Sequence, residues 1–455
     1  MSATPSKTSK KYRYVDPAEF TPEFAWRRTG KGAEGVYCED VPLARAAEEF
    51  GTPVYLYSAS AIATAFRELS DGLRRVPHTI CFAMKSNRNL TLLQHLAKLG
   101  SGFDIVSVGE LASLEHLRVP GERIVFSGVG KSREEIREAL RYRGGNRKGE
   151  RGILLFNVES EAELEVLLGE AEREQRRGAG APSVSVRVNP DVQAGGHPHI
   201  STGHHQHKFG LDWSAAHKLY LKHRDSRGIR WQGISAHIGS QIISRGPFER
   251  AFSRLAGYSR ELRREGISLS YLDIGGGLGV RYTDERPMKR GEYARMAARM
   301  VRPLGIHLLL EPGRSIIASA GVLLTRVLYT KEIRGKRFVI VDAAMNDLMR
   351  PTLYGATHPI TRVLRQRGKD YGVNRADIAG PVCETGDCFL HDWPIGEVEP
   401  GEILAVWTAG AYGMSLASNY NARTRPAEVL VDRGSARLIR RRETERDLIR
   451  GDVLA

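Results

Sequence analysis

Lys85 in "CFAMKSN", Asp104 in "FDIVSVGE", Arg187 in "VSVRVNP", His237 and Ser240 in "SAHIGSQ", Gly275–Gly277 in "LDIGGGLG" and Glu311–Arg314 in "LEPGR" each stand at the end of a short apolar run. These residue types do chemistry. A lysine there is costly to bury unpaired, so it either turns to water or sits at a pocket mouth, where a desolvated amine becomes a nucleophile. The glycine run lacks the full G-x-G-x-x-G spacing of a dinucleotide site. It reads instead as successive backbone amides free of Cβ atoms, a nest for phosphate, and Gly313 offers another such amide. Taken alone, His237 is a satisfied core residue and Arg187 an ion-pair partner; the density of such groups favours a site.

A lysine, a phosphate nest and a carboxylate together call for a cofactor with an aldehyde, a phosphate and a basic ring nitrogen. Pyridoxal 5'-phosphate has all three. Lys85 would hold it through an imine, and Glu311 would face the ring nitrogen and keep it protonated. That pairing favours reactions that pass through a fully stabilised carbanion.

The elements that must position these residues alternate between β-type and helical patterns. The β-type runs are Ile80–Lys85, Phe103–Val106, Arg123–Ser127, Ile153–Val158, Ser183–Asn189, Ile234–His237, Ser270–Ile274 and Ile306–Glu311. Amphipathic stretches such as Asn89–Leu99 and Glu159–Arg176 lie between them, the second with Ser160 and Glu163 spaced as a capping box. This predicts an α/β chain with a TIM-like (β/α)8 barrel over 56–316, whose functional groups gather at the C-terminal ends of the strands. Beyond it, Val322–Ile333, Arg337–Asp342, Glu402–Trp407, Ala427–Asp432 and Ala436–Arg440 read as strands of a β-sandwich or barrel domain, 317–455. The early runs Val36–Cys38 and Val54–Ser58 join it from 16–55, making it discontinuous; residues 1–15 read as a disordered basic tail.

Composition narrows the class. The 455 residues have the charge and glycine content of a soluble globular protein, and no apolar run approaches membrane-spanning length. The N-terminal "MSATPSKTSKKYRYVDP" lacks a signal peptide's apolar core. The net charge of +15 is spread, and its concentrations at Arg141–Arg151 and Arg362–Lys369 carry no interleaved aromatics, so no nucleic-acid partner is expected. Four cysteines without framework spacing point to a reducing compartment, the cytoplasm. No metal site is expected either. Cys383 and Cys388 lack a second ligand pair, and His197, His199, His204, His205 and His207 read as a polar substrate-facing loop without cysteine or carboxylate company.

Taken in order, "FAMKSN", "HIGSQI", "DIGGGLGVRY", "EPGRSIIASAGVLLTRVLY", "DAAMNDLMRPTLY", "GPVCETGD" and "AGAYGMSLASNYNARTRP" resemble the motifs of the diaminopimelate decarboxylase family. This is the barrel-type group of pyridoxal-phosphate enzymes that also holds ornithine and arginine decarboxylases. The likeness runs from Val36 to "RRRET". It implies decarboxylation of meso-2,6-diaminopimelate to L-lysine and CO2, ending lysine biosynthesis. By resemblance Lys85 is the Schiff-base lysine, and Asp104, Arg187, His237 and Ser240 surround the cofactor. Gly275, Gly276, Gly277 and Gly313 match phosphate-binding amides, and Glu311 the ring-nitrogen partner. Arg314 and Tyr412 match contacts to cofactor and substrate; Arg350, Tyr354 and Glu384 match substrate contacts, and Cys383 the proton donor. The family also implies a homodimer in which Cys383 and Glu384 reach the partner's site. Departures are Ser86-Asn87 for the usual Ala-Asn, and "SVGE" with Val108 where a glycine is common.

The residues support the substrate independently. A guanidinium such as Arg350 pairs bidentately with a carboxylate and repels a terminal ammonium, which disfavours the alternatives ornithine and arginine; carboxynorspermidine is a further alternative substrate. Glu311 and Cys383 disfavour a racemase. Retention of Lys85, Glu311 and Cys383 together disfavours a non-catalytic regulatory binder.

Overall fold

The computed structural model describes residues 16, 19–30, 32–147, 150–193, 208–366 and 374–454. The basic tail, the histidine group and parts of both basic patches lie outside the described residues. The chain divides into two units, one of Ile62–Val280 and Glu285–Ile317, the other of the residues up to Ala61, Arg281–Asp284 and those from Ala318 onward.

The first unit is the barrel. Its strands are β1 (His78–Ala83), β2 (Gly102–Ile105), β3 (Ile124–Phe126), β4 (Leu155–Val158), β5 (Ser183–Arg187), β6 (Arg230–Ser235), β7 (Tyr271–Asp273) and β8 (His307–Leu310). Each pairs in parallel with the next, and β8 closes on β1 with Leu308 opposite His78. Helices such as Leu90–Lys98, Glu161–Gln175 and Arg245–Arg264 return the chain between strands. The largest shift from the sequence pattern is at β6, which starts at Arg230 rather than Ile234. Trp231 is the cause: it packs against Tyr220 with ring centres 4.7 Å apart and draws its polar neighbours into the strand.

Alternate residues of a barrel strand face inward. Cys81, Val125, Leu155 and Leu309 meet there as an apolar layer. Two residues further along the same strands stand Ala83, Ser127, Asn157 and Glu311, so the interior turns polar toward the C-terminal ends of the strands.

The cap at Ser160 is only half of the expected box. Ser160 accepts the Glu163 N–H at 3.1 Å, but the Glu163 carboxylate takes the ammonium of Lys131 at 2.7 Å and the Glu159 N–H at 3.0 Å. Lys131 is 1 % exposed and also donates to the carbonyls of Gly128 and Asn157, so its buried charge has the stronger claim on Glu163. A complete capping box occurs instead at Ser132 and Glu135.

In the second unit the long strand Gly321–Ile333 pairs with Val54–Ser58, Ile403–Val406 and Lys336–Val341. Ala427–Asp432 lies on the other side of Val54–Ser58, so an N-terminal strand is enclosed by C-terminal ones. The core gathers Phe24, Val36, Leu56, Val322, Leu324, Trp407 and Val429. Strands Phe24–Gly30, Arg375–Ala379 and Cys388–Pro394 escape the sequence pattern because "FAWRRTG" and "CFLHDWP" mix charge and proline among their apolar residues. No described helix is long and apolar enough to cross a membrane.

Replacing Lys131 by Met strands a buried carboxylate. We expect Lys131→Met to lower the unfolding free energy by about 3–5 kcal/mol and Lys131→Met/Glu163→Met to regain most of it, measured by urea denaturation. Equal losses in the two variants would show that the pair is not the origin.

Candidate active site

Lys85 stands on a single 3-10 turn, Met84–Ser86, that follows β1. The turn is pinned by Ser86 Oγ donating to the Ala83 carbonyl at 2.7 Å and Asn87 N–H donating to the Met84 carbonyl at 3.0 Å. The lysine keeps 39 % of its side-chain surface and donates to Asp104 Oδ2 at 3.1 Å. Asp104, on neighbouring β2, is fully buried, and its Oδ1 has no partner among the described residues. The lysine that ends the run is therefore neither loose in water nor sealed in the core. It sits at the mouth of the barrel against a dry carboxylate.

Glu311 follows β8, on the other side of β1. Its Oε1 accepts from Ser127 Oγ at 3.1 Å and Asn157 Nδ2 at 3.4 Å. Asn157 also donates to Asp273 Oδ2 at 3.1 Å and accepts from Ser185 Oγ at 2.6 Å. Burial, then the nearby Asp104 and Asp273, push the Glu311 carboxyl far above its ordinary range; burial raises Asp273 as well. Two such acids in hydrogen-bond contact cannot both ionise, so the pair holds a proton at neutral pH. Sequence reasoning singled out Glu311 but missed Ser127, Asn157, Ser185 and Asp273. Their signal was their spacing of two from the apolar interior layer.

The three glycines divide their work. Gly275 N–H donates to Asp273 Oδ1 at 2.9 Å and Gly276 N–H to His237 Nδ1 at 3.1 Å, so these two amides are turned to protein groups. The N–H groups of Gly277 and Gly313 have no acceptor among the described residues. A Cβ at Gly276 would lie 2.2 Å from the Glu311 carbonyl, and one at Gly277, where φ is +100°, 2.5 Å from the Gly239 carbonyl. Only glycine permits that closeness.

Because His237 Nδ1 accepts from an amide, its proton is on Nε2. Burial, then Lys85 and Arg187, push its pKa well below 6.5, leaving a neutral ring at neutral pH. Arg187 is buried in an ion pair with Glu159 at 2.8 Å, and its guanidinium lies 4.9 Å from the Phe209 ring centre. Glu159, which the sequence reading missed, also accepts the N–H groups of Gly128 and Gly210. Arg314 is buried and donates to Ser240 Oγ at 3.0 Å. Val108, the departure near Asp104, is accommodated in the first turn of the helix Val108–His116, capped by Ser107.

The other residues singled out lie in the second unit. Arg350, in the helix Arg350–Tyr354, is buried, donates to His358 Nε2 at 2.6 Å and lies 4.9 Å from the Tyr282 ring centre. An arginine can only donate, so His358 Nε2 is an acceptor and its Nδ1–H donates to the Trp407 carbonyl at 2.9 Å. The histidine is thus neutral, and the charge on Arg350 is uncompensated by it. Tyr354 lies in the same short helix, and Tyr412 takes a positive φ of 57°. Cys383 is exposed, with its N–H on Asn421 Oδ1, and exposed Glu384 accepts from the Tyr420 hydroxyl at 3.0 Å. Asp387 builds their turn by accepting the Val382 and Met345 N–H groups, both at 2.7 Å.

In the barrel a reactive amine, an orphaned carboxylate oxygen, a protonated acid, a neutral imidazole and two free amides therefore share one rim. These are the groups that an aldehyde, a basic ring nitrogen, an aromatic face and a phosphate require, so the residues fit pyridoxal 5'-phosphate.

Residues 59–318 match the family profile of the pyridoxal-binding domain of pyridoxal-dependent decarboxylases. The chain is 46 % identical to the diaminopimelate decarboxylase of Pseudomonas aeruginosa over 92 % of its own length and 97 % of that protein. It is likewise 46 % identical to that of Neisseria meningitidis serogroup B, over 90 % and 95 %. Among solved structures it resembles diaminopimelate decarboxylase from Helicobacter pylori complexed with L-lysine, with TM-score 0.82 and 39 % identity over 90 % of this chain and 98 % of that one.

The depressed His237 pKa carries a pH dependence. Below pH 6.5 the unfolded chain binds a proton here that the native state refuses, so this residue subtracts stability as pH falls from 6.5 toward its lowered value. Relative to His237→Gln, the native protein should lose about 1.4 kcal/mol per pH unit across that window in urea unfolding. Parallel profiles would refute a neutral His237.

Proposed function

The chain belongs to the pyridoxal-dependent decarboxylases, alongside the diaminopimelate decarboxylases, and on that premise we propose that it converts meso-2,6-diaminopimelate to L-lysine and CO2. The observation that carries the reading is the rim of three adjacent strands, where Lys85 on the β1 turn faces Asp104 of β2 and the buried Glu311 follows β8. Pyridoxal 5'-phosphate, when bound, supplies an aldehyde that condenses with an amine and a protonated ring that accepts the electron pair left by departing CO2.

Lys85 would hold the cofactor, with Asp104 fixing its ammonium at rest. Glu311 would face the ring nitrogen and hand it the proton that burial and the neighbouring acids make this carboxyl hold beforehand. His237, being neutral, would lie against the ring without opposing its positive charge. The free N–H groups of Gly277 and Gly313, with Tyr412, would hold the phosphate. Gly275 and Gly276 act one step back, orienting Asp273 and His237. Arg187 and Ser240 would border the cofactor, each already fixed by an ionic or hydrogen-bonded partner.

Arg314 and Arg350 would bind carboxylates of the substrate, and Tyr354 and Tyr412 would contribute further contacts to it. Glu384 would accept from the distal ammonium. Cys383 would then deliver its thiol proton to Cα on one face. Both residues are exposed on the single chain. Their assignment accordingly rests on a homodimer in which each chain offers them to the other's site. Four cysteines free of disulfides support a cytoplasmic setting.

The test is CO2 release from meso-diaminopimelate compared with ornithine, arginine and carboxynorspermidine. We expect turnover of the first alone; faster turnover of any other would overturn the assignment. Cys383→Ala should lower kcat on the order of a hundredfold or more while the bound cofactor's absorbance persists. Borohydride should fix the cofactor to Lys85 in the native protein and leave Lys85→Ala unlabelled.

A further inference from the structure

Between the strands Arg375–Ala379 and Cys388–Pro394 a second chemical cluster stands outside all of this machinery. The two strands pair with Ala376 opposite Trp393, Ile378 opposite Leu390 and Ala379 opposite Cys388. Two irregularities in that register make the second strand longer than the first over the same span. The bulge at His391 and Asp392, where Asp392 has φ of 47°, re-aims side chains that would otherwise alternate. Cys388 and His391, three apart and expected on opposite faces of a regular strand, consequently converge on Asp377.

The donor atoms of Asp377, Cys388 and His391 lie within 4.8 Å of one another. His391 Nδ1 is 2.6 Å from Asp377 Oδ2 and 3.5 Å from Cys388 Sγ. Thiol and carboxylate address the same ring nitrogen, so the trio is not a relay of the nucleophile–base–acid kind, in which the histidine uses both nitrogens. Three donors around one point is the arrangement of a cation site. Lys336 fills the cationic role here, its ammonium 2.6 Å from Asp377 Oδ2. Its side chain is 55 % exposed and free to leave toward water.

We propose that Asp377, Cys388 and His391 form a binding site for a thiophilic divalent cation of the zinc class, with water as fourth ligand. The donor set is one carboxylate, one imidazole and one sulfur, which selects zinc over magnesium or calcium. A tetrahedral ion with bonds near 2.0–2.3 Å needs donors about 3.3–3.8 Å apart, a modest opening of the His391–Asp377 contact. On binding, Cys388 releases its proton to solvent, His391 moves its ring proton from Nδ1 to Nε2, and Lys336 withdraws, so that two anionic ligands neutralise the ion. Burial, and then Asp377, hold the Cys388 thiol at about 12 without a metal, which keeps it protonated and unreactive until a cation arrives. The ion would tie together the end of one strand and the start of the next, the two anchors of the turn that carries Cys383 and Glu384.

The experiment titrates the purified full-length, cofactor-loaded protein with Co2+ and follows the red ligand-field bands of four-coordinate cobalt, clear of the cofactor's absorption. One equivalent should bind, and Zn2+ should displace it. Cys388→Ser and His391→Ala should each abolish the bands while circular dichroism stays native. Lys336→Met should tighten binding severalfold by removing the competing ammonium, an effect no adventitious surface histidine would show. The bands should survive replacement of Cys383 by Ser and of His197, His199, His204, His205 and His207 together by Gln. Absence of bands at one equivalent, bands that persist in Cys388→Ser, or bands lost with the five histidines would overturn the proposal.

Discussion

A strand of a closed parallel barrel sends only every second side chain inward, and the strands here are three to six residues long. Each strand therefore owns one to three interior places, and the barrel uses them in order. The first full layer, Cys81, Val125, Leu155 and Leu309, is apolar and closes the interior. The next carries Asp104, Ser127, Asn157, Ser185, Asp273 and Glu311, all buried. One step further, where strands end and turns begin, come Lys85, Glu159, Arg187, His237 and Gly275. A single parity rule thus places the residues proposed to do chemistry and the residues that hold them.

That layering decides the electrostatics. Three carboxylic acids, Asp104, Asp273 and Glu311, are enclosed where water cannot solvate their charge, and one ammonium, Lys85, stands above them. Full ionisation of all three would leave uncompensated anions in a dry interior, a cost that proteins avoid by retaining protons. Asp104 has Lys85 as counter-ion. Asp273 and Glu311 have instead Asn157, Ser127 and each other. Any base brought to Glu311 would meet a proton already held there. Preorganisation of this kind acts before any substrate arrives.

The parity rule also explains what was legible in the sequence. Eight alternating runs ending on functional side chains suffice for the barrel, and the β6 start misled only because Trp231 lies beyond polar neighbours. Lys85, Asp104, Arg187, His237 and Glu311 were visible because a charged or basic residue closing an apolar run is conspicuous. Asn157, Glu159 and Asp273 were passed over, Asn157 as an uncharged residue inside its run, Glu159 as the first residue of the helical stretch that follows, and Asp273 beside a more prominent glycine run. The Ser160–Glu163 box was half right because a buried lysine 32 positions away, unseen in local spacing, takes the glutamate. The same blindness hid the Asp377, Cys388 and His391 cluster, which exists only because two bulges bend one strand.

The proposed specificity rests on a different use of neutrality. Arg350 is buried, and a buried guanidinium beside a carboxylate would be spent on that partner. One of its hydrogen-bond partners is His358, a neutral ring locked by the Trp407 carbonyl. The histidine fixes the direction of the guanidinium without cancelling its charge, which suits the contact proposed with a substrate carboxylate. Cys383, the proposed proton donor, obeys the opposite logic. A thiol that protonates one face of a carbanion has to be shielded from water, which would otherwise compete for the same carbon. On a single chain it stands exposed, on a turn kept rigid by Asp387. In the proposed homodimer a second copy of this chain would cover that donor, offering its own Cys383 in return through one symmetric contact.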